Sequence, residues 1–283
     1  MNVTARYLGR GSWLAQRDPR TLLLVGLLAV PIVIQNWDFR IALVLFAIAL
    51  LYYRLARIPF AAVRRQWTFI VVFVSVLILF NTILTGGQVA EVVTDFHTLF
   101  RLPVLSTPIT AEALSYGATQ LVRFLTISAT GFPIAFAIAP AELGTALAGL
   151  KIPEKFAYAV DLTMRFIPSL SAEMQTTMDA QRIRGHEFEG GGRNPVTRFR
   201  RTVPLVVPVT INAIVNAEDT IDAMDLRSFG TGRRTWLREL RFDRWDRLLL
   251  VATLALLATM TILSFSGRTG LFVFPFLLDL AEA

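Results

Sequence analysis

The stretch Trp67–Thr85, WTFIVVFVSVLILFNTILT, decides the class of this protein. It runs from its first residue to its last without a charged side chain. A helix that crosses the hydrocarbon core of a bilayer needs about 20 mainly apolar residues. The length and composition of this stretch therefore predict a transmembrane helix.

The same pattern recurs along the chain in four further segments: Thr21–Gln35, Phe39–Tyr53, Ala111–Ala139 and Leu248–Phe265. The first two are short for complete spans. A last apolar piece, Leu271–Leu280, is too short to cross and is expected to lie at an interface. The sequence predicts an all-α integral membrane protein with about five transmembrane helices.

The composition supports lipid as the solvent and argues against several kinds of active site. Charged residues make up 17% of the 283 residues, whereas soluble domains carry about 25%. The absence of cysteine excludes disulfides, thiol catalysis and Cys-ligated metal sites. The two histidines, His97 and His186, lie far apart. We therefore predict no catalytic residue, no metal site and no enzymatic activity.

Arginines orient the chain in the membrane. The net charge is +7, and its excess lies beside the apolar segments: Arg6, Arg10, Arg17 and Arg20 precede the first, and Arg54, Arg57, Arg64 and Arg65 follow the second. Positive charge marks the cytoplasmic side of a membrane. We predict a multi-pass protein of the cell membrane with its N-terminus and its long polar segment in the cytoplasm. Nucleic-acid binding, which needs one strongly basic face, is not expected.

Three regions follow from this topology. Residues 1–139 form an N-terminal tail and transmembrane helices 1 to 4, residues 140–247 a cytoplasmic domain, and residues 248–283 the last transmembrane helix and a tail. Within the cytoplasmic domain we predict three helices: Ala141–Leu150, Glu154–Arg184 with a break or bend at Pro168, and Thr197–Ser228. Narrow stripes of small or flexible residues suit close crossing of the two long helices.

Arg123 lies within the fourth predicted transmembrane helix. A charge at that depth is costly and faces the protein interior or water. The expected explanation is an internal arginine whose donors are satisfied by carbonyl groups, and the alternative is a substrate or ion pathway.

The two long cytoplasmic helices end in similar sequences. Asp179–Gly185 reads DAQRIRG and Asp222–Ser228 reads DAMDLRS, so both fit Asp-Ala-x-x-(Ile/Leu)-Arg-(Gly/Ser). Each arginine lies at a predicted helix C-terminus. There a cation gains about 0.3–1 kcal/mol from the helix dipole. Alternatively, each guanidinium protrudes and offers its forked donors to a partner's groove. The residues alone leave both interpretations open.

These motifs, in this order, resemble the transmembrane T components of energy-coupling-factor (ECF) transporters, the EcfT/CbiQ family. SWLAQRDPRT at 12–21, which contains Asp18, Pro19 and Arg20, is similar to an N-terminal family motif. MRFIP at 164–168, with Arg165 and Pro168, is similar to a second one. The two repeats are similar to the family's Ala-Arg-Gly coupling signatures. Leu22 and Ile183 depart from the family pattern, where lysine and alanine usually stand.

The resemblance implies a scaffold subunit of an importer for vitamins or metal ions. Such a subunit joins two cytoplasmic ABC-type ATPases to a small membrane S component that captures the substrate. ATP and Mg²⁺ would be bound by the ATPases, with no cofactor on this chain. The implied coupling residues are Arg184 and Arg227, each docking on one ATPase, with Gly185 and Ser228 allowing close approach and Ala180 and Ala223 keeping the flank thin.

Other functions fit the sequence less well. A stand-alone membrane carrier would need polar groups at the bilayer midplane, which the apolar segments mostly lack. Another ABC-type permease subunit is a further alternative. The chain has no G-x-x-x-x-G-K-[ST] loop, so it is not itself expected to hydrolyse ATP. Nothing in the sequence specifies the cargo.

Overall fold

The computed structural model describes residues 12–85, 97–101, 108–185, 195–232 and 240–282. Within these ranges the chain is mainly helical, which confirms the predicted class. The α-helices are α1 Pro19–Ile34, α2 Phe39–Leu55, α3 Phe60–Thr85, α4 Ala111–Ala137, α5 Leu143–Gly149, α6 Glu154–Ile183, α7 Pro195–Leu226, α8 Arg244–Phe265 and α9 Pro275–Glu282. Short 3₁₀ turns occupy Leu14–Gln16 and Pro140–Glu142.

A small sheet that the sequence did not predict precedes α4. Strand β1, Thr98–Arg101, pairs antiparallel with β2, Pro108–Thr110. Strands of three or four residues are too short to show the alternating pattern that identifies a strand in a sequence.

The chain divides into two compact units. The membrane unit contains the described residues up to Ala139 and those from Arg241 onward, and so includes α1 to α4, α8 and α9. The helical unit spans Pro140–Leu240 and contains α5, α6 and α7.

Hydrogen bonds between distant residues fix the directions of α1, α4 and α8 in the membrane unit. The Asp18 N–H donates to the Asp246 carboxylate at 3.2 Å, so α1 and α8 begin at the same face, which we call the Asp18 face. At the opposite end, the Trp37 face, the Trp37 N–H donates to the Thr269 carbonyl at 3.1 Å. The Phe274 N–H donates to the Ser115 hydroxyl at 3.2 Å, so α4 begins at the Trp37 face.

Aromatic contacts fix the directions of the remaining two helices, α2 and α3. The Trp67 ring, near the start of α3, lies 6.1 Å from Tyr53 at the end of α2 and 5.3 Å from Phe132 near the end of α4. The end of α2, the start of α3 and the end of α4 therefore meet at the Asp18 face. Five helices thus alternate in direction between the two faces.

Three of these helices are long and apolar enough to cross a bilayer. They are α3 over its residues Phe60–Ile83, the whole of α4 and the whole of α8. The other two, α1 and α2, have 16 and 17 residues. At about 1.5 Å per residue, helices of that length fall short of a hydrocarbon core about 30 Å thick. Helices α3 and α8 begin several residues before the apolar runs that predicted them, because hydropathy locates the apolar part of a helix and not its polar first turns.

Burial in the membrane unit is the reverse of that in a soluble protein. Only 11% of the α3 span and 6% of the α8 span are buried, and Phe69, Phe73 and Phe80 of α3 are each more than half exposed. A contiguous apolar surface of this size is suited to lipid and not to water. Helix α4, whose span is 44% buried, packs against α1, α2 and α3 and is the centre of the unit.

In the helical unit, α5 lies very close to α6. A Cβ atom at Gly144 would lie 2.8 Å from the Ala157 carbonyl oxygen and 2.5 Å from the Asp161 Cβ. The sequence predicted a break or a bend at Pro168. Helix α6 continues through this residue, so the helix is not broken there. A proline removes one backbone hydrogen bond, and the turns on either side maintain the helix.

Helices α6 and α7 contact each other near one end of each. The Tyr158 hydroxyl of α6 lies 3.5 Å from the Met224 sulfur of α7, and the Tyr158 ring lies 4.6 Å from Phe229. The first turns of α6 therefore contact the last turns of α7.

Candidate functional site

The first candidate site is the C-terminal end of α6, which we call the first tip. Helix α6 ends at Ile183, and the Arg184 N–H donates to the Ala180 carbonyl at 3.3 Å. Gly185 has φ +80°, and its N–H donates to the Arg182 carbonyl at 2.9 Å. This left-handed turn strongly favours glycine. The chain therefore turns away directly after Arg184 and leaves that side chain exposed at the helix end.

The second tip is the end of α7 and has the same construction. The Ser228 N–H donates to the Asp225 carbonyl at 2.9 Å, and the Phe229 N–H donates to the Met224 carbonyl at 3.0 Å. These two bonds form a Schellman motif, in which the residue after the helix cap is left-handed. Ser228 occupies that position with φ +55°. A residue with a Cβ atom is strained there by about 1–2 kcal/mol.

Both tips present an apolar side chain directly before the arginine. Ile183 and Leu226 are each 88% exposed, more than almost any other large apolar side chain in the described part of the chain. Ala180 and Ala223, one turn earlier, are also exposed. Single exposed apolar residues are common on protein surfaces, but nearly complete exposure at equivalent positions of two helix ends is typical of an interaction surface.

The guanidinium groups of the two tips are free to bind a partner. Among the described residues, neither Arg184 nor Arg227 has a side-chain hydrogen bond or ion pair. Arg182 differs, because it pairs with Asp179 at 3.3 Å. The helix dipole accounts for a cation at a helix end, but it leaves the forked donors of arginine unused. They suit carboxylate or carbonyl oxygens of another molecule.

The structure does not bring the two tips together. The second tip lies beside Tyr158 at the start of α6, whereas Arg184 lies at the end of that helix. At about 1.5 Å per residue, α6 separates them by about 40 Å along its axis. The tips therefore form two separate binding positions.

The N-terminal motif of Asp18, Pro19 and Arg20 has a structural role in the membrane unit. The Asp18 carboxylate accepts the Arg20 N–H at 2.9 Å and caps α1, and Pro19 occupies the first helical position. The Arg20 guanidinium also binds the Asp18 carboxylate, with its shortest contact at 2.8 Å. The motif fixes the start of α1, and the Asp18 N–H joins it to Asp246 of α8.

Sequence reasoning did not identify the partner of this motif. Asp246, 1% exposed, accepts the N–H groups of Asp18 and of Asp243. Asp243 and Asp246 form a capping box at the start of α8, and an Asp-x-x-Asp spacing before an apolar run is the signal that would have located it.

The Asp243 carboxylate has a hydrogen bond and an ion pair of its own. Its carboxylate accepts the Arg244 N–H and lies 3.0 Å from the Arg17 guanidinium. The hydrogen bond from the Arg244 N–H, followed by that from Arg17, holds the pKa of Asp243 below its usual value of 3.8. Asp243 is therefore charged at neutral pH, and its contact with Arg17 weakens only in acid.

The second family-like motif lies away from both tips. Arg165 is exposed on α6, and its side chain has no hydrogen bond or ion pair within the described ranges. Pro168 is exposed one turn later in the same continuous helix. The structure therefore assigns neither residue a contact that explains the motif.

Arg123 of α4 is bound within the protein through two of its three guanidinium nitrogens. Its guanidinium donates to the Gln120 side-chain oxygen at 2.7 Å and to the Asn36 carbonyl, and it lies 4.5 Å from the Trp37 ring. These contacts agree with an internal arginine bound by carbonyl groups, and they hold the turn between α1 and α2 against α4.

A row of exposed apolar side chains runs along α7. At helical spacing these are Val203, Val207, Ile211, Ile214 and Ile221, each between 42% and 56% exposed. An exposed apolar row of this length marks an interaction surface.

Comparison with known proteins places the chain in a family. The model of the CbiQ family, described as a cobalt transport protein, matches residues 10–237. The chain is 28% identical to the energy-coupling factor transporter transmembrane protein EcfT of Listeria innocua over 88% of this chain and 93% of that protein. It is 27% identical to EcfT of Staphylococcus aureus over 94% of this chain and 98% of that protein. EcfT of Thermosediminibacter oceani is 33% identical over 55% of this chain and 61% of that protein.

The family match covers the N-terminal motif and both tips. The apolar helices of the membrane unit agree with a membrane-embedded transport subunit. This chain belongs to the CbiQ family and is a transmembrane T component of the ECF transporter type.

Proposed function

We propose that this chain couples two ABC-type ATPases to a substrate-capturing S component in an importer for a vitamin or a metal ion. The observation that carries the proposal is the pair of equivalent tips. Each presents a guanidinium that has no partner among the described residues, beside a nearly fully exposed apolar side chain, and the tips lie at opposite ends of α6. One chain with two separate and equivalent binding positions suits a partner that is itself a pair.

Each tip would bind a groove on one ATPase. The arginine donates to carboxylate or carbonyl oxygens in that groove, while Ile183 or Leu226 fills an apolar part of it. The left-handed turn at Gly185 or Ser228 removes the following chain from the helix axis, so the helix end itself can enter the groove.

Motion would pass along α6 and α7. When ATP binding closes the two ATPases, their grooves move and carry the tips with them. Because α6 and α7 are continuous helices of 30 and 32 residues, displacement of their ends moves each helix as a body. ATP and Mg²⁺ belong to the ATPases in this mechanism, and this chain binds neither.

The S component would use apolar surface of this chain. The α7 row gives an apolar membrane subunit a surface to pack against, and the exposed surfaces of α3 and α8 give it a second one in the bilayer. The S component selects the cargo.

The charges support a cytoplasmic location for the Asp18 face. Exposed arginines at the end of α2 and the starts of α3 and α8 lie there: Arg54, Arg57, Arg64, Arg65, Arg244 and Arg247. The chain leaves the membrane unit at the end of α4 and re-enters it at the start of α8, both on this face. The positive-inside rule then puts the helical unit in the cytoplasm, where ATPases have access to ATP.

Substitution of the tip arginines tests the proposal. The complex with its ATPases and S component is reconstituted in proteoliposomes with Arg184→Ala or Arg227→Ala, and ATP-driven uptake and ATPase affinity are measured. A hydrogen bond to a charged group contributes about 1.5–3 kcal/mol, so each variant should bind an ATPase roughly 10- to 100-fold more weakly.

Arg182→Ala is the matched control, because Arg182 lies on the same helix end but is paired with Asp179. It should retain uptake and affinity. Equal activity of all three variants would contradict the proposal. Uptake by this chain alone in liposomes would instead establish a stand-alone carrier.

A further inference from the structure

The membrane unit contains an apolar cavity of about 340 Å³ between α1, α2, α4 and α8. Its size lies within the range of ligand sites, about 300–1,000 Å³. Val25 and Val33 of α1, Leu45 and Tyr52 of α2, and Leu249 and Leu256 of α8 are among the residues that line it. All four helices contribute to its wall, and all belong to one unit, so the cavity is a feature of the packed membrane helices.

The cavity is closed at one end and open to the side. Towards the Trp37 face, the buried side chains of Ile32, Leu45 and Met260 pack together and close it. At the side, the lining residues Ile48 and Ala252 are exposed on the outer surfaces of α2 and α8. Both helices lie in the apolar part of the membrane unit, so this opening faces the hydrocarbon of the bilayer and not water.

The polar groups of the lining leave almost no hydrogen bond for a ligand. The hydroxyls of Thr126, Thr130 and Thr253 each donate to a carbonyl of their own helix, at 2.8, 3.0 and 2.8 Å. The exception is the Tyr52 hydroxyl, which is buried and has no hydrogen-bond partner among the described residues. The ligand that fits is a hydrocarbon chain with an acceptor oxygen near one end.

Exposed arginines lie at the same end of the membrane unit as Tyr52. Arg54 and Arg57 follow Tyr52 at the end of α2, and Arg247 precedes Leu249 at the start of α8. All three side chains are exposed and have no hydrogen bond or ion pair with the described part of the chain. Basic groups at the ends of transmembrane helices bind anionic lipid head groups.

We propose that this cavity binds one anionic phospholipid from the leaflet at the Asp18 face. One acyl chain fills the space between α2 and α8, the Tyr52 hydroxyl donates to an ester oxygen, and the arginines bind the phosphate. A cavity open to the bilayer interior fills with hydrocarbon, since the Tyr52 hydroxyl is almost the only hydrogen-bonding group that this lining offers and a buried water needs about two to four. The site does not depend on the ATPases or on the S component.

Native mass spectrometry of the purified full-length chain tests the site. The chain is titrated in detergent with phosphatidylglycerol and with phosphatidylcholine of identical acyl chains. Wild type should retain one phosphatidylglycerol in preference to phosphatidylcholine. Ala252→Trp fills the cavity from α8 and should lower this retention about tenfold or more, because the chain's buried methylenes are displaced. Ile48→Trp fills it from α2 and serves as a second variant.

Matched controls separate the site from general effects. Ala255→Trp adds the same side chain to α8 at an exposed position outside the lining and should bind like wild type. Arg54→Gln combined with Arg247→Gln should remove the preference for phosphatidylglycerol, whereas Arg268→Gln at the Trp37 face should not.

Three results would overturn the proposal. In the first, wild type binds the two lipids equally. In the second, Ala252→Trp and Ile48→Trp retain phosphatidylglycerol as well as Ala255→Trp does. In the third, wild type retains no lipid, and Ala252→Trp loses the S component, which would assign the cavity to a helix of that partner.

Discussion

Asp246 joins two helix starts that are far apart in the chain. It is buried and accepts two backbone N–H groups, one from Asp18 before α1 and one from Asp243 before α8. A carboxylate that accepts N–H bonds forms stronger hydrogen bonds than a neutral group does. The position of α8 beside α1 therefore depends on this side chain.

We expect Asp246→Ala to destabilise the membrane unit. The substitution leaves two N–H groups without their acceptor, at about 1–3 kcal/mol for each group that stays buried. Asp246→Asn keeps one acceptor oxygen and should lose less. Thermal unfolding in detergent measures both variants. Asp179→Ala, at an exposed carboxylate, is the control, and a melting temperature for Asp246→Ala as high as for that control would contradict this role.

At the scale of the helices, close packing of α5 on α6 depends on the missing side chain of Gly144. An added Cβ atom would meet backbone and Cβ atoms of α6, neither of which is the free end of a flexible side chain. Helix α5 has only seven residues, so it depends on this contact for its position.

Gly144→Ala is expected to destabilise the helical unit by about 1–3 kcal/mol, the usual effect of overpacking. Gly131→Ala is the matched control, because Gly131 also lies within a helix but no atom lies within 4 Å of an added Cβ. It should stabilise α4 by about 0.5–1 kcal/mol, since alanine loses less backbone entropy than glycine. Limited proteolysis at increasing temperature measures both, and equal protection of the two variants would contradict the packing argument.

At the scale of the whole molecule, the alternating helices require the two faces of the membrane unit to lie on opposite sides of the bilayer. The chain has no cysteine, so single cysteines can be labelled without background. Pro59→Cys lies at the Asp18 face, Ser266→Cys at the Trp37 face and Glu218→Cys on exposed α7.

A membrane-impermeant maleimide added to intact cells should label Ser266→Cys and leave the other two unlabelled until the cells are permeabilised. The reason is the excess of arginine at the Asp18 face, which the positive-inside rule puts in the cytoplasm. Labelling of Glu218→Cys in intact cells would reverse the proposed orientation and remove the tips from any cytoplasmic ATPase.

The features that could be predicted from the sequence are those that depend on neighbouring residues in the chain. The apolar runs gave the helices of the membrane unit within a few residues on most boundaries, because a spanning helix is defined by its own composition. The ends of α6 and α7 could also be located from local sequence, because the repeated motif lies at both helix ends; the left-handed turns at Gly185 and Ser228 were found only in the structure. Arg123 was correctly expected to bind carbonyl groups, but the sequence could not identify Asn36 as the residue whose backbone carbonyl accepts one of its hydrogen bonds.

By itself, the sequence determined that this is a helical membrane protein and that two of its helices end in matching arginine motifs. The tertiary structure alone decided that the tips lie about 40 Å apart along α6, that Asp246 joins α1 to α8, and that four helices enclose an apolar cavity. The physical reason is distance along the chain. Composition and capping act within a few residues, whereas these features depend on contacts between residues that only folding brings together.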